Sequence, residues 1–259
     1  MMPFIDTHCH MDTYAEKSGE AFESWWANVL PHPEAIVQVA CEIENFEYAQ
    51  NLTGRYKEVY AAYGIHPEVA VSYCEAVEEK LKKALAHPKA VALGEIGLDY
   101  HYEGATHQKQ MEVFARQLDL GIALKKPIVL HLREADDDAL QVLSQAKIGK
   151  VKIHVHSFSA NPDFAEKLLS LPSHTFIGFT GIVTFKNAQN VRDSASIVPL
   201  DRLLLETDAP YLAPVPFRGK PSHAGMIPKI AETLAQVKGV TLDSLMLAAR
   251  QNTKICYGI

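Results

Sequence analysis

Eight short apolar runs, at 3–8, 35–41, 57–63, 89–95, 126–131, 151–156, 174–180 and 202–208, alternate along this chain with longer amphipathic stretches. Runs of that length, rich in β-branched and other apolar residues, read as buried strands. The clearest intervening helix is 106–124, where Met111, Phe114, Leu118 and Ile122 recur every three or four residues behind Thr106, a suitable N-cap. Others fit at 75–86, 134–146, 161–170 and 226–238. Strands alternating with helices imply a parallel sheet covered on both faces. Eight such units in 259 residues predict an α/β fold, a closed (β/α)8 TIM barrel forming one domain over 1–259. The runner-up is an open doubly wound sheet, but no G-x-G-x-x-G or Walker sequence opens a helix. The irregular segment 209–225, rich in Pro and Gly, reads as a loop on the active face.

Five motifs put His, Glu or Asp where those strands end: Asp6-Thr7-His8-Cys9-His10, Gly94-Glu95-Ile96-Gly97-Leu98-Asp99, Leu130-His131-Leu132-Arg133, His154-Val155-His156-Ser157 and Glu206-Thr207-Asp208-Ala209-Pro210. Active sites of α/β barrels sit at that end. A single barrel histidine is more often a core residue bonded to a backbone carbonyl, but six ligand-type side chains on strands 1, 4, 5, 6 and 8 read as one dinuclear site. His8 and His10, two apart on extended backbone, face the same side and turn Cys9 outward into packing. His154 shares the face of His156 one layer deeper, where packing or support of a ligand is expected rather than a metal contact.

Four imidazoles and two carboxylates hold two divalent ions if one group is shared. The assignment gives His8, His10 and Asp208 to one ion and His131 and His156 to the other, with Glu95 bridging. Such ions lower the pKa of a bound water and clamp the attacking and leaving oxygens of an in-line displacement, so hydrolysis is the natural reaction. Asp208 can ligate and also orient or deprotonate the attacking water, which makes it and Glu95 the candidate catalytic residues. Imidazole-rich coordination suits Zn, Mn, Fe, Co or Ni, and Mg in excess can still serve. Arg133, two residues after His131, offers a planar fork to phosphate. Arg218 and Lys220 can do the same at the rim, and His66 in Gly64-Ile65-His66-Pro67 suits a phosphate oxygen or the leaving group.

Several features have plainer readings. The run Glu134-Ala135-Asp136-Asp137-Asp138 is best explained as acids in the first turn of a helix, stabilised by its dipole. Trp25 and Trp26 could stack bases, but burial of at least one in an early amphipathic helix is the better expectation. Asp99 and Tyr100 divide evenly between supporting the ligands and shaping the loop. The net charge of −6 argues against a broad basic surface for duplex binding, so any nucleic-acid contact is local. Cysteines at 9, 41, 74 and 256 form no C-x-x-C pair and read as reduced thiols of a cytoplasmic protein. No apolar run approaches the roughly 20 residues that span a bilayer, and nothing in the sequence points to an obligate protein partner.

The motifs DTHCH, GEIGLDY, KPIVLH with Arg133, HSFSA, LLLETDAPYLAP and RGK, in this order from Ile5 to about Asn252, resemble the TatD family of metal-dependent deoxyribonucleases in the amidohydrolase-like superfamily. The resemblance implies a distorted TIM barrel with a dinuclear site on His8, His10, Glu95, His131, His156 and Asp208. It also implies Mg- or Mn-supported 3'-to-5' exonuclease action on single-stranded DNA, with RNA or aminoacyl-tRNA as substrates of some relatives. The chain departs from the family at Ser222-His223-Ala224, where Asn-Glu-Pro is usual, at His154, where the family has an apolar residue, and in segment 12–30.

Two other functions compete. Amide, ester or lactone hydrolases of the same superfamily commonly bridge their metals with a carboxylated lysine on strand 4, whereas this chain has no lysine between Ala90 and Tyr100. A catalytically silent scaffold would be marked by lost ligands, and all six are present.

Overall fold

The computed structural model describes residues 2–259. Its eight strands are β1 Ile5–Cys9, β2 Ala35–Ala40, β3 Val59–Tyr63, β4 Ala90–Asp99, β5 Ile128–Arg133, β6 Lys152–Val155, β7 His174–Phe179 and β8 Leu203–Leu205. They form one sheet in the order β1 to β8, every neighbouring pair parallel. The ends of the sheet meet: Cys9 bridges Ala209, the His10 amide donates to Ala209 O at 2.7 Å, and the Asp208 amide donates to His8 O at 2.9 Å. The sheet is therefore a nearly closed (β/α)8 barrel, which removes the edges that the doubly wound alternative would leave.

Burial follows from this arrangement, since a strand faces helices on one side and the barrel interior on the other. All six residues of β2, Ala-Ile-Val-Gln-Val-Ala, are buried. Val37, Val39, Ala62, Ala92, Val129, Phe176 and Leu204 fill the interior together with Cys256 and Tyr257 from the last helix, Leu242–Tyr257. The expected helices appear as Glu75–Leu85, His107–Ala123, Asp136–Gln145, Pro162–Leu169 and Ile227–Lys238. Thr106 caps its helix by accepting from the Lys109 amide at 3.3 Å. Helices Phe46–Arg55, Gln189–Ile197 and Leu242–Tyr257 have no counterpart in the sequence reading.

Three boundaries need correction. The fourth strand does not stop at 95 but runs to Asp99, so Glu95 lies within it and Asp99 ends it. Its pairing with β5 slips between Leu93 and Ile96, and Gly97 (φ 144°) lies so close that a Cβ there would sit 2.0 Å from His131 O. The eighth strand pairs only over Leu203–Leu205. Beyond it the chain is tied to β1 by Asp6, which accepts from the Thr207 amide at 2.9 Å and the Thr207 hydroxyl at 2.5 Å. Glu134 adopts φ 55° outside the helix that starts at Asp136, so only Asp136, Asp137 and Asp138 occupy the first turn. Among the described residues no helix is long and apolar enough to cross a membrane.

Candidate metal centre

Glu95, only 2% exposed, lies between two sets of imidazoles. Its Oε2 is 3.3 Å from His8 Nε2 and 3.7 Å from His10 Nε2. Its Oε1 is 2.7 Å from both His131 Nδ1 and His156 Nε2. Asp208 Oδ1 completes the first set, 3.7 Å from His8 Nε2 and 3.5 Å from His10 Nε2. The facing nitrogens are close within each set: 3.1 Å between His8 and His10, and 3.0 Å between His131 and His156. The two sets touch where the His8 and His156 rings stack at 4.0 Å.

The local backbone explains this convergence. His8 and His10 point inward from the end of β1 because alternate residues share a face, and the intervening Cys9 Sγ lies 3.4 Å from Val37 O. His131 projects from β5, His156 directly follows β6, and the Asp6 to Thr207 contacts hold Asp208 beside His8. Outer partners fix the rings. His10 Nδ1 is 3.1 Å from Val39 O, and His131 Nε2 is 2.8 Å from Asp99 Oδ2. Asp99 is itself held by the His101 and Tyr102 amides, which donate to Oδ1 at 2.9 and 3.3 Å.

His154 is fully buried, and among the described residues it is not grouped with the candidate ligands. Its Nδ1 is 2.6 Å from Tyr257 Oη and its Nε2 is 3.0 Å from Glu206 Oε2. Glu206 Oε1 accepts from the Ser157 amide, which links this lower pair to the loop after His156. Gly178 leaves room for both, since a Cβ there would lie 2.3 Å from His154 Nε2.

Charge is concentrated here. Burial would raise the Glu95 carboxyl, but the charges of His156 and His8 and hydrogen bonds from His131 and His156 hold it well below the usual range. Burial opposes protonation of His10, yet the hydrogen bond to Asp208 and the charge of Glu95 raise it to about 9. Against the same burial, Asp99 and Glu95 raise His131 to about 10. Burial and the nearby His156 lower His8 to about 4, while burial and His131 lower His66 to about 3.

Imidazole and carboxylate donors converging at these spacings fit borderline divalent cations, with one carboxylate oxygen directed at each imidazole pair. Groupings whose ligand atoms all lie within 4.8 Å include His8, His10 and Glu95; His8, His156 and Asp208; and His66, Glu95 and His131. The last places His66 among the ligand-type groups, with its Nε2 3.6 Å from Glu95 Oε1.

The centre opens into a cleft of about 690 Å³ whose walls include His66, Arg133, Glu42, Glu68, Tyr102 and Tyr211. Arg133 has no carboxylate partner among the described residues and lies 4.9 Å over the Tyr102 ring. Arg218 and Lys220 are not brought to the cleft: Arg218 lies 3.9 Å over Phe185, and both are exposed outside the lining. The 209–225 loop turns them outward. Trp25 is buried and Trp26 partly buried against Phe22 and Tyr56, away from the cleft. Tyr102, Tyr211 and Tyr257 escaped the sequence reading, although Tyr211 stands inside a quoted motif.

The profile of the family described as TatD related DNase matches residues 5–258. An Escherichia coli protein named uncharacterized metal-dependent hydrolase YcfH is 36% identical over 97% of this chain and 94% of its own length. A human protein named 3'-5' RNA nuclease TATDN2 is also 36% identical, over 99% of this chain but 35% of its own length. The crystal structure of the E. coli TatD homologue YJJV superposes with a TM-score of 0.90 at 30% identity, covering 99% of this chain and 98% of that one.

Proposed function

This chain belongs to the TatD-related DNase family of metal-dependent hydrolases, and from that premise we propose that it cleaves phosphodiester bonds in single-stranded DNA, stepwise in the 3'-to-5' direction. The observation that carries this reading is the division of Glu95, whose Oε2 faces His8 and His10 while Oε1 faces His131 and His156. His8, His10 and Asp208 would hold one divalent ion and His131 and His156 a second, with Glu95 shared; Mg or Mn would support activity, and Zn, Fe, Co or Ni also suit the donors. When bound, such ions supply a water acidic enough to attack near neutral pH and charge to balance the departing oxygen.

The chain's own groups do the rest. Asp208, at the edge of the first set, orients the attacking water and accepts its proton. Arg133, with no carboxylate in salt-bridge contact among the described residues, donates to phosphate oxygens from the N–H edge of its planar fork. His66, lowered to about 3, is neutral near pH 7 and stands beside Glu95, where it can hydrogen-bond a phosphate oxygen. Arg218 and Lys220 would act only on a strand long enough to leave the cleft.

RNA is the second reading, favoured by the RNA nuclease activity that the human relative, 36% identical, is named for. The test is a time course with metal-stripped protein on end-labelled single strands of DNA and RNA, with and without Mn or Mg, beside Glu95→Ala. Metal- and Glu95-dependent shortening of DNA from the 3' end supports the proposal, and the same ladder on RNA alone moves the substrate to RNA. Intact strands with both sites loaded reject it in favour of an ester such as aminoacyl-tRNA.

A further inference from the structure

Two aromatic rings stand open on the walls of the cleft, each joined to a different half of the metal centre. Tyr211 is 43% exposed and Tyr102 is 52% exposed, although both line the cleft. The Tyr211 amide donates to Asp208 O at 2.8 Å, and its ring lies 6.5 Å from that of His10. The Tyr102 amide donates to Asp99 Oδ1, and the other oxygen of that carboxylate holds His131. One ring thus hangs from the His10 and Asp208 side, the other from the His131 side.

Each ring also carries a cation. The Lys17 ammonium sits 3.7 Å over Tyr211, and the Arg133 guanidinium sits 4.9 Å over Tyr102. A ring that served only to pack would bury its apolar surface, whereas these rings leave much of theirs facing the cleft. The remaining charged walls are poor in cations and include Glu42 and Glu68. Such a cleft cannot grip a long run of phosphates, so affinity for a strand has to come from another source. Stacking of unpaired bases on aromatic side chains is that source for single strands, and it tolerates any sequence because every base has a π-face.

We propose that Tyr211 and Tyr102 are stacking platforms for the two nucleobases on either side of the scissile phosphate, with Lys17 and Arg133 beside them to meet the backbone. The inference rests on the phosphodiester reading above and deepens it: the site selects a single strand because the bases of a duplex have their faces covered. Tyr211 takes the base on the His10 side and Tyr102 the base on the His131 side.

The test uses metal-loaded protein and three single-stranded oligonucleotides: one intact, and two with one abasic nucleotide on either side of the phosphate cleaved first. The wild type should favour the intact strand in kcat/KM by roughly five- to a hundredfold at each position. Tyr211→Ala should abolish the preference at one position and Tyr102→Ala at the other, while Tyr211→Phe and Tyr102→Phe retain it. Both rings are exposed, so their truncation opens no core, and thermal melting checks each variant. Equal cleavage of intact and abasic strands by the wild type, or a preference that survives both alanine variants, overturns the platforms and leaves the phosphodiester reading standing. Failure to cleave any strand with both ions bound rejects that reading and the platforms together.

Discussion

Replacing Asp99 by Asn tests the support of one metal site while changing little in shape. The carboxylate faces two kinds of partner at once: Oδ2 lies 2.8 Å from His131 Nε2, and Oδ1 accepts from the amides of His101 and Tyr102. In the metal-loaded protein His131 would donate from Nε2 to Asp99 and, with its Nδ1 proton displaced, turn the Nδ1 lone pair to the ion beside Glu95 and His156. An Asn that keeps its oxygen on the two amides turns an NH2 toward His131, which favours the tautomer with the proton on Nδ1. An Asn flipped the other way keeps the His131 bond but sets NH2 against two backbone N–H groups. Either arrangement weakens His131 as a ligand. Losses of this kind run to about 10- to 100-fold in metal affinity, or roughly 1.4–2.7 kcal/mol. Competition against a chelator, with Mn or Zn titrated into stripped protein, should resolve two binding steps. Asp99→Asn should weaken one and spare the step assigned to His8, His10 and Asp208. Two unchanged steps would refute the orienting role of Asp99, and equal loss in both would mean that it acts through the shared Glu95.

Gly178→Ala should destabilise the barrel without touching a ligand. The new Cβ would lie 2.3 Å from His154 Nε2 and 2.6 Å from Glu206 Oε1, both on fully buried residues, so a loss of about 1–3 kcal/mol is expected in urea unfolding. Pairing it with His154→Ala should recover part of that loss, and an unchanged midpoint for Gly178→Ala alone would mean that the buried pair yields freely. At the surface, Glu78 is held at about 2, below its ordinary 4.5, by hydrogen bonds from Lys82, Arg116 and Tyr73 that outweigh its burial. Its folded pKa is depressed, so its contribution is present above pH 4.5 and fades as the pH falls through 2. Glu78→Gln should therefore lower Tm at pH 7, modestly because Lys82 and Arg116 are exposed, and the gap from wild type should close in acid. A gap that persists at pH 2 would show that the carboxylate charge is not its source.

The barrel was legible because its signal is repeated: eight apolar runs and the helices between them impose one architecture even when individual ends are misjudged. The ends were misjudged for physical reasons. Pairing of β8 stops at Leu205, but Glu206 and Thr207 stay beside β1 because Asp6 grips Thr207, and Asp208 then turns at φ 54°; the Asp6 contact joins residues about 200 apart and no local pattern contains it. The last helix had a usable signal in Thr241, whose hydroxyl accepts from the Ser244 amide, followed by Leu242, Leu245, Met246 and Ala249 on one buried face. What could not be read is that this helix delivers Tyr257 to His154 inside the barrel.

At the site, which side chains would meet was legible and the geometry of their meeting was not. Strand-end position selected His8, His10, Glu95, His131, His156 and Asp208, and these side chains do converge. Arg218 and Lys220, expected at the rim from the long loop after strand 8, lie exposed outside the cleft lining, because such a loop carries no period to say which way a side chain turns. The strand-end rule misjudged the depth of Glu95. Gly94 and Gly97 let β4 press against β5, where Cβ atoms would lie 2.6 Å from Val129 O and 2.0 Å from His131 O, and the pairing slips between Leu93 and Ile96. That slip lets the strand run on to Asp99 while Glu95 stays level with the His8 and His131 rings. One strand therefore supplies both the carboxylate shared by the two imidazole pairs and, four residues later, the carboxylate that holds His131 from behind. A strand with side chains at 94 and 97 could not approach β5 closely enough to do both, so these two glycines determine the site as much as the residues that point into it.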